Sequence, residues 1–221
     1  MATAGHFRML ALRCLRAIFS RCAAADEGKA HLEVELKFRI GAGEASGLPD
    51  QLRQRLFVSE GMVELSDTFL PVAVEGEMMR IRQEKDEHRS IKTLITFKQW
   101  VATATGRTRR ESERAVSPMA AIVLLVVGRM IGGSPLLGFA KKRQLYTGMV
   151  GQHQMTVAID DVSGLGSFSG WYLEAEVIVP LSGDPVAVQD DILIFAQSLF
   201  GDKRQPEKQS YFEMLVRSQS L

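Results

Sequence analysis

The sequence predicts an α+β fold in which short antiparallel strands are accompanied by a few helices. Apolar and polar residues alternate in His31–Ile40 and in several later runs, the period of an extended strand. Polar turns separate neighbouring runs at hairpin distance. Between them, residues 48–60, 117–130 and 185–200 carry apolar side chains at helical spacing.

The chain has 221 residues, 46% hydrophobic and 24% charged, with a formal net charge of +1. That length suits one sizeable domain plus an extension, since domains commonly run to roughly 100–200 residues. A net charge this small gives no global pull toward nucleic acid or membrane, so any charge logic is local. The two cysteines, Cys14 and Cys22, lie in the N-terminal segment. Residues 29–221 therefore offer neither a disulfide framework nor a thiolate zinc site.

Residues 1–28 read as an N-terminal extension. Arg8, Arg13, Arg16 and Arg21 precede the first acid, Asp26, and separate at helical spacing from Leu10, Leu12, Leu15, Ile18 and Phe19. An Arg-rich, acid-poor amphipathic start is the pattern of a mitochondrial transit peptide, so mitochondrial localisation is the expectation, with cytoplasmic as the alternative. The arginines break the apolar run too often for a transmembrane helix.

The first strand, HLEVELKFRI, places Glu33, Glu35 and Lys37 on one face and Val34, Leu36 and Phe38 on the other. Gly41 to Gly47 reads as a loop and Leu48 to Glu60 as a short helical stretch with Pro49 near its start. Extended runs follow at Met62–Leu70, Glu77–Gln83 and Ile91–Val101, the last two framing the polar turn Glu84–Ser90. A second turn, Thr103–Gly106, leads into RTRRESERAV. Ser117 then caps a helix that has Pro118 at its first position and runs through Met130. Its apolar centre, Ala120–Val127, suits core or a dimer contact and is too short for a membrane span. Strands return at Phe139–Tyr146, Gln154–Val162 and Trp171–Val179, before a helix at Pro185–Phe200 and a short YFEMLV helix. His31, His88 and His153 have no companion at ligand spacing, and Trp100 and Trp171 read as packing residues.

Charges at two-residue spacing recur along these strands. If the strands close into a barrel, one alternate set lines its interior. That set would include the acids Glu33, Glu35, Glu174 and Glu176, and the bases Lys37, Arg80, Arg82, Lys98, Arg109, Lys141 and Arg143. So many charges are tolerable inside only if wet, paired, or matched by a charged ligand. A divalent cation carrying a polyphosphate is such a ligand: carboxylates hold the metal, and guanidinium and ammonium groups hold phosphate oxygens.

Taken in order, Glu33-Val-Glu35-Leu-Lys37, Arg80-Ile-Arg82, Lys98 in TFK, Arg109-Arg-Glu111-Ser-Glu113, Lys141-Lys-Arg143, IDDVSGLGSF and Glu174-Ala-Glu176 resemble the motifs of the CYTH, or triphosphate tunnel metalloenzyme, superfamily. The closing QSYFEML resembles the family's SYxxLL segment, and the resemblance spans roughly residues 29–217. The family often shows DTYYDT before its Arg-x-Arg motif, where this chain has Asp67-Thr-Phe-Leu-Pro with one acid fewer. Ser167–Tyr172 lengthens the step from GLG to the Glu-x-Glu pair.

The resemblance implies an eight-stranded antiparallel β-barrel with flanking helices, whose tunnel binds a triphosphate with Mg²⁺ or Mn²⁺. It implies metal contact for Glu33, Glu35, Asp160, Glu174 and Glu176. Phosphate contact falls to Lys37, Arg80, Arg82, Lys98, Arg109, Lys141 and Arg143, and a catalytic part to Glu33, Glu35, Lys37, Glu111 and Glu113. The implied activity is hydrolysis of inorganic triphosphate, thiamine triphosphate or a nucleoside triphosphate. The alternatives are an adenylyl cyclase using the same tunnel, and a non-catalytic phosphate-binding or assembly subunit of a mitochondrial complex. The expected partner is the small triphosphate, with a homodimer or complex as a further expectation and nucleic acid not expected.

Overall fold

The computed structural model describes residues 31–71, 77–103, 106–132, 135–180, 182–201 and 204–219; the side chains of residues 31, 99–103 and 106–111 lie outside that description. The N-terminal extension, with both cysteines and its targeting expectation, also lies outside the described residues.

The strands are β1 (His31–Ile40), β2 (Val58–Leu70), β3 (Glu77–Asp86), β4 (Ile91–Thr103), β5 (Gly106–Ala115), β6 (Gly138–Val150), β7 (His153–Ser163) and β8 (Gly170–Pro180). The helices are α1 (Ala42–Gln54), α2 (Pro118–Gly132), α3 (Pro185–Phe200) and α4 (Tyr211–Ser218). Hydrogen-bonded neighbours follow the order β1-β8-β7-β6-β2-β3-β4-β5 in one eight-stranded antiparallel sheet. This is the α+β fold that the sequence predicts. Two compact units divide it, one from residues 66–84 and 91–138, the other, larger, from residues 31–65, 85–90 and 139–221.

In the larger unit β1 pairs with β8 so that Leu36 lies opposite Ala175 and Phe38 opposite Leu173, while Glu35 lies opposite Glu176 and Lys37 opposite Glu174. Opposed residues share a face, so this register sends one alternate set to the core and leaves the charged set on the other face. The core set includes Phe38, Leu173, Ala175, Val177, Met155, Val157 and Ile159, all fully or almost fully buried. It packs against Ala45, Leu48 and Leu52 of α1 and Val188, Ile192, Phe195 and Leu199 of α3, with Trp171 at its margin. Each large apolar side chain removed from water contributes about 1.5–3 kcal/mol, which fixes the register. Asp184 caps α3 by accepting from the Val186 and Ala187 amides at 2.9 and 3.3 Å, and Gly201, at φ 73°, ends it.

The smaller unit follows the same plan. Leu70, Met79, Ile81, Ile95 and Phe97 form a core under Ala121, Leu124 and Leu125 of α2. Ser117 caps α2 as expected, its Oγ accepting from the Ala120 amide at 3.2 Å. Only one side of α2 is buried; Met119, Ile122, Val123, Val126 and Met130 are 53–74% exposed. No helix among the described residues is long and apolar enough to cross a membrane. Gly138 sits where a Cβ would come within 2.7 Å of the Asp67 carbonyl oxygen, so only glycine allows the backbones to approach this closely there.

The structure corrects one sequence expectation. Gly41–Gly47 is not a loop, because α1 starts at Ala42 and ends at Gln54, and β2 already begins at Val58. Glu44 turns back to accept from the Gly41 amide at 2.7 Å, which satisfies an orphan donor of the first turn. Burial of Ala45, Leu48 and Leu52 then carries the helix through Pro49, overriding the propensities that read as a loop.

Candidate functional site

The charged face of the larger unit assembles residues far apart in sequence. Glu33 and Glu35 on β1 and Glu176 on β8 bring one carboxylate oxygen each to within 4.8 Å of one another. Glu35 and Glu176 are directly opposed, a like-charge pairing that by itself destabilises a sheet. Three converging carboxylates are the oxygen donors that a hard divalent cation takes, and a cation would relieve that repulsion. The residues therefore fit a hard divalent cation.

Asp160 and Glu174 are engaged differently. Asp160 is fully buried and accepts from Lys141 Nζ at 2.8 Å and from Arg143 Nε and Nη2 at 2.7 Å each. Glu174 accepts from Arg143 Nη2 and lies 3.5 Å from Lys141 Nζ. Burial alone would raise the Glu174 pKa, but Lys141 and Arg143 outweigh it and hold the carboxyl well below its ordinary range. Arg143, although desolvated, is held firmly protonated by Asp160 and Glu174.

Lys37 is also buried. Its Nζ donates to the Gln209 carbonyl at 2.7 Å and lies 4.0 Å from the centre of the Tyr211 ring. Burial lowers its pKa, against the raising influence of Glu174 and Glu35. Tyr211 is the shared floor of this cluster. Lys141 Nζ lies 4.9 Å from its ring, its hydroxyl donates to Asp160 at 3.2 Å, and Tyr172 meets it edge-on at 5.3 Å. Desolvation, then the negative charges of Glu174 and Asp160, push the Tyr211 phenol pKa well up, so it serves as a donor. Ser210 and Glu213 form a capping box that sets Tyr211 at the start of α4.

In the smaller unit the organiser is Asp67, which is 1% exposed. Arg82 grips it with Nε–Oδ1 at 2.7 Å and Nη2–Oδ2 at 2.8 Å, and Arg80 Nη1 reaches Oδ2 at 3.3 Å. Arg80 Nε donates to Thr96 Oγ1 at 3.3 Å, and that hydroxyl donates to Glu113 at 3.0 Å. The β4–β5 register sets Thr96 opposite Glu113, Lys98 opposite Glu111 and Trp100 opposite Arg109. Lys98 is half-buried, and the side chains of Arg109 and Glu111 lie outside the described residues.

Of the residues singled out from sequence, the structure brings Glu33, Glu35 and Glu176 together as a converging carboxylate group. It places Lys141, Arg143, Asp160 and Glu174 in one buried ion cluster with Lys37 alongside. Arg80, Arg82 and Glu113 join the network around Asp67 and Thr96 in the smaller unit. Sequence reasoning missed Asp67, Thr96 and Tyr211 as members. Tyr211 stands in the SYxxLL-like segment, and Asp67 in the shortened acidic motif, so both carried a signal.

The profile of the CYTH domain matches residues 31–211. Among solved structures, the PH1819 protein of Pyrococcus horikoshii OT3 is similar at 21% identity, with 84% of this chain and 98% of that one covered and a TM-score of 0.65. HpAC1 of Hippeastrum, described as an adenylyl cyclase candidate with a dominant triphosphatase activity, is similar at 16% identity, 85% and 96% coverage and a TM-score of 0.57. An adenylate cyclase candidate of Vibrio parahaemolyticus is similar at 17% identity, 85% and 99% coverage and a TM-score of 0.54. At these identities the likeness is one of fold. No curated protein matches the chain.

Proposed function

This chain belongs to the CYTH domain family, and from that premise we propose that it hydrolyses a small linear triphosphate with the help of Mg²⁺ or Mn²⁺. The observation that carries the proposal is the convergence of Glu33, Glu35 and Glu176 in the same unit as the buried Lys37, Lys141 and Arg143 cluster. A cation donor set and a phosphate-binding set on one strand face are what a metal–triphosphate substrate requires.

In this reading Glu33, Glu35 and Glu176 hold the cation, which when bound supplies positive charge against the charge developing on the phosphoryl oxygens. Arg80, Arg82, Lys98, Arg109, Lys141 and Arg143 bind phosphate oxygens. Lys37, poorly solvated as an ammonium, gains from an anionic partner. Asp160 and Glu174, assigned to the metal by resemblance, hold Lys141 and Arg143 in place. Glu111 and Glu113 orient the attacking water, whose oxygen bonds to the terminal phosphorus as the bridging P–O bond breaks. Inorganic and thiamine triphosphate are the preferred substrates. The names of the similar cyclase candidates supply a second reading, in which ATP gives cyclic AMP and diphosphate.

Phosphate release by the purified full chain tests this, with tripolyphosphate, thiamine triphosphate and ATP, each with Mg²⁺, Mn²⁺ or chelator. Turnover of one substrate that stops with chelator is expected. Glu35→Ala and Lys98→Ala should each lose about 10²–10³-fold in kcat/KM, the scale for removing a transition-state electrostatic contact. Cyclic AMP from ATP would favour the cyclase, and a loss of no more than a few-fold in both variants would sink the assignment.

A further inference from the structure

We propose that Asp67 is a positioning residue that presets Arg80 and Arg82 as one phosphate-binding pair, an inference that rests on the triphosphate reading above. Arg80 and Arg82 project from the same face of β3, two like-charged, flexible side chains one pleat apart. Left alone they would repel each other and sample many rotamers. Asp67 on β2 removes that freedom. Its two oxygens accept from three N–H groups, two from Arg82 and one from Arg80. The side-on grip on Arg82 fixes the plane of that guanidinium, and Thr96 fixes the other end of Arg80.

The backbone around Asp67 is equally constrained. The Phe69 amide donates to the Leu137 carbonyl at 2.8 Å, and Gly138 packs against the Asp67 carbonyl with no space for a side chain. A carboxylate offers about four lone-pair sites, so one acid is enough for both arginines. Asp160, on the strand next to β6, likewise accepts from both bases of Lys141-x-Arg143 in the other unit, with Glu174 as a second acid there. Arginines ordered before the substrate arrives need no ordering when it binds, which strengthens ground-state binding.

The test is Asp67→Asn in the full chain, with Arg82→Lys and the double variant, read as KM and kcat for tripolyphosphate and as calorimetric tripolyphosphate binding. Asp67→Asn should raise KM about 10–100-fold, the range for losing a partner that orients a ligating group, with a smaller change in kcat. Arg82→Lys keeps the charge but loses the fork, and should raise KM similarly. Because Asp67 acts partly through Arg82, the two losses should be less than additive in the double variant, with the Arg80 share remaining.

A KM within about twofold of wild type in Asp67→Asn, or fully additive effects in the double variant, overturns the inference while wild-type turnover keeps the triphosphatase reading. If Asp67→Asn does not fold, Arg82→Lys decides, and a wild-type KM there overturns the inference as well. A wild-type protein that neither cleaves nor binds tripolyphosphate overturns the functional reading, and this inference with it.

Discussion

Glu35 and Glu176 face one another across β1 and β8, two carboxylates at directly opposed register positions. Directly opposed like charges cost roughly 0.2–1 kcal/mol in a sheet, so Glu176→Gln should leave the metal-free protein as stable as wild type or slightly more so. With Mn²⁺ at tenfold its dissociation constant, wild type should gain about 1.4 kcal/mol by linkage, and the variant should lose most of that gain. Thermal unfolding with and without Mn²⁺ checks both signs, and an unchanged Mn²⁺ response would remove Glu176 from the cation site. The alternating acids of this trio were readable in the sequence because period 2 is a local signal. Asp67 and Tyr211 stood in motif segments of the sequence, but their part in the site shows only once their partners on other elements are seen. A lone acid in a strand looks solvated until its two arginines are seen to close on it.

Among the elements, α1 carries the clearest local strain. The turn that follows it sets Leu56 at φ 64°, a left-handed conformation that suits glycine, and Leu56 is 86% exposed, so its side chain gains little from burial. The Leu56 amide donates to the Arg53 carbonyl and the Phe57 amide to the Leu52 carbonyl, each at 3.0 Å, so the turn is fixed by its hydrogen bonds and by buried Phe57. Leu56→Gly should raise stability by about 1 kcal/mol, measured by urea unfolding. A loss of stability would show that the Leu side chain restricts the unfolded chain more than it strains the turn. The helices with explicit caps, Ser117-Pro118 and Asp184-Pro185, began where the sequence placed them. The start of α1 was hidden, because a glycine-rich segment reads as loop unless the reach of Glu44 and the burial of Leu48 are both known.

At the scale of the molecule, each unit sets apolar side chains on one face of its strands and charges on the other. The cores make the fold robust near neutral pH, and the buried ion clusters make it sensitive to acid. Glu174 has a folded pKa below its ordinary value of 4.5. Its contribution is therefore complete above that value and is lost as pH falls through the lower folded value. Urea midpoints should stay level from neutral pH to about 5 and then drop as acid is added, and Glu174→Gln should flatten that drop. A parallel fall in both proteins would assign acid sensitivity to other carboxylates. The family was legible because its charged motifs keep their order along the chain. Which acids converge on one another and which lock a base was not, since that depends on the pairing of strands rather than on spacing within any one of them.

Gly138 contributes no atom to any of this chemistry, yet the strand carrying Asp67 lies against it with no room to spare. A position can be constrained by the emptiness it provides as firmly as another is by the charge it carries. A map of which positions tolerate replacement would therefore rank Gly138 beside the acids and arginines, and a search for the site by sensitivity alone would lead to a residue that no ligand need ever touch.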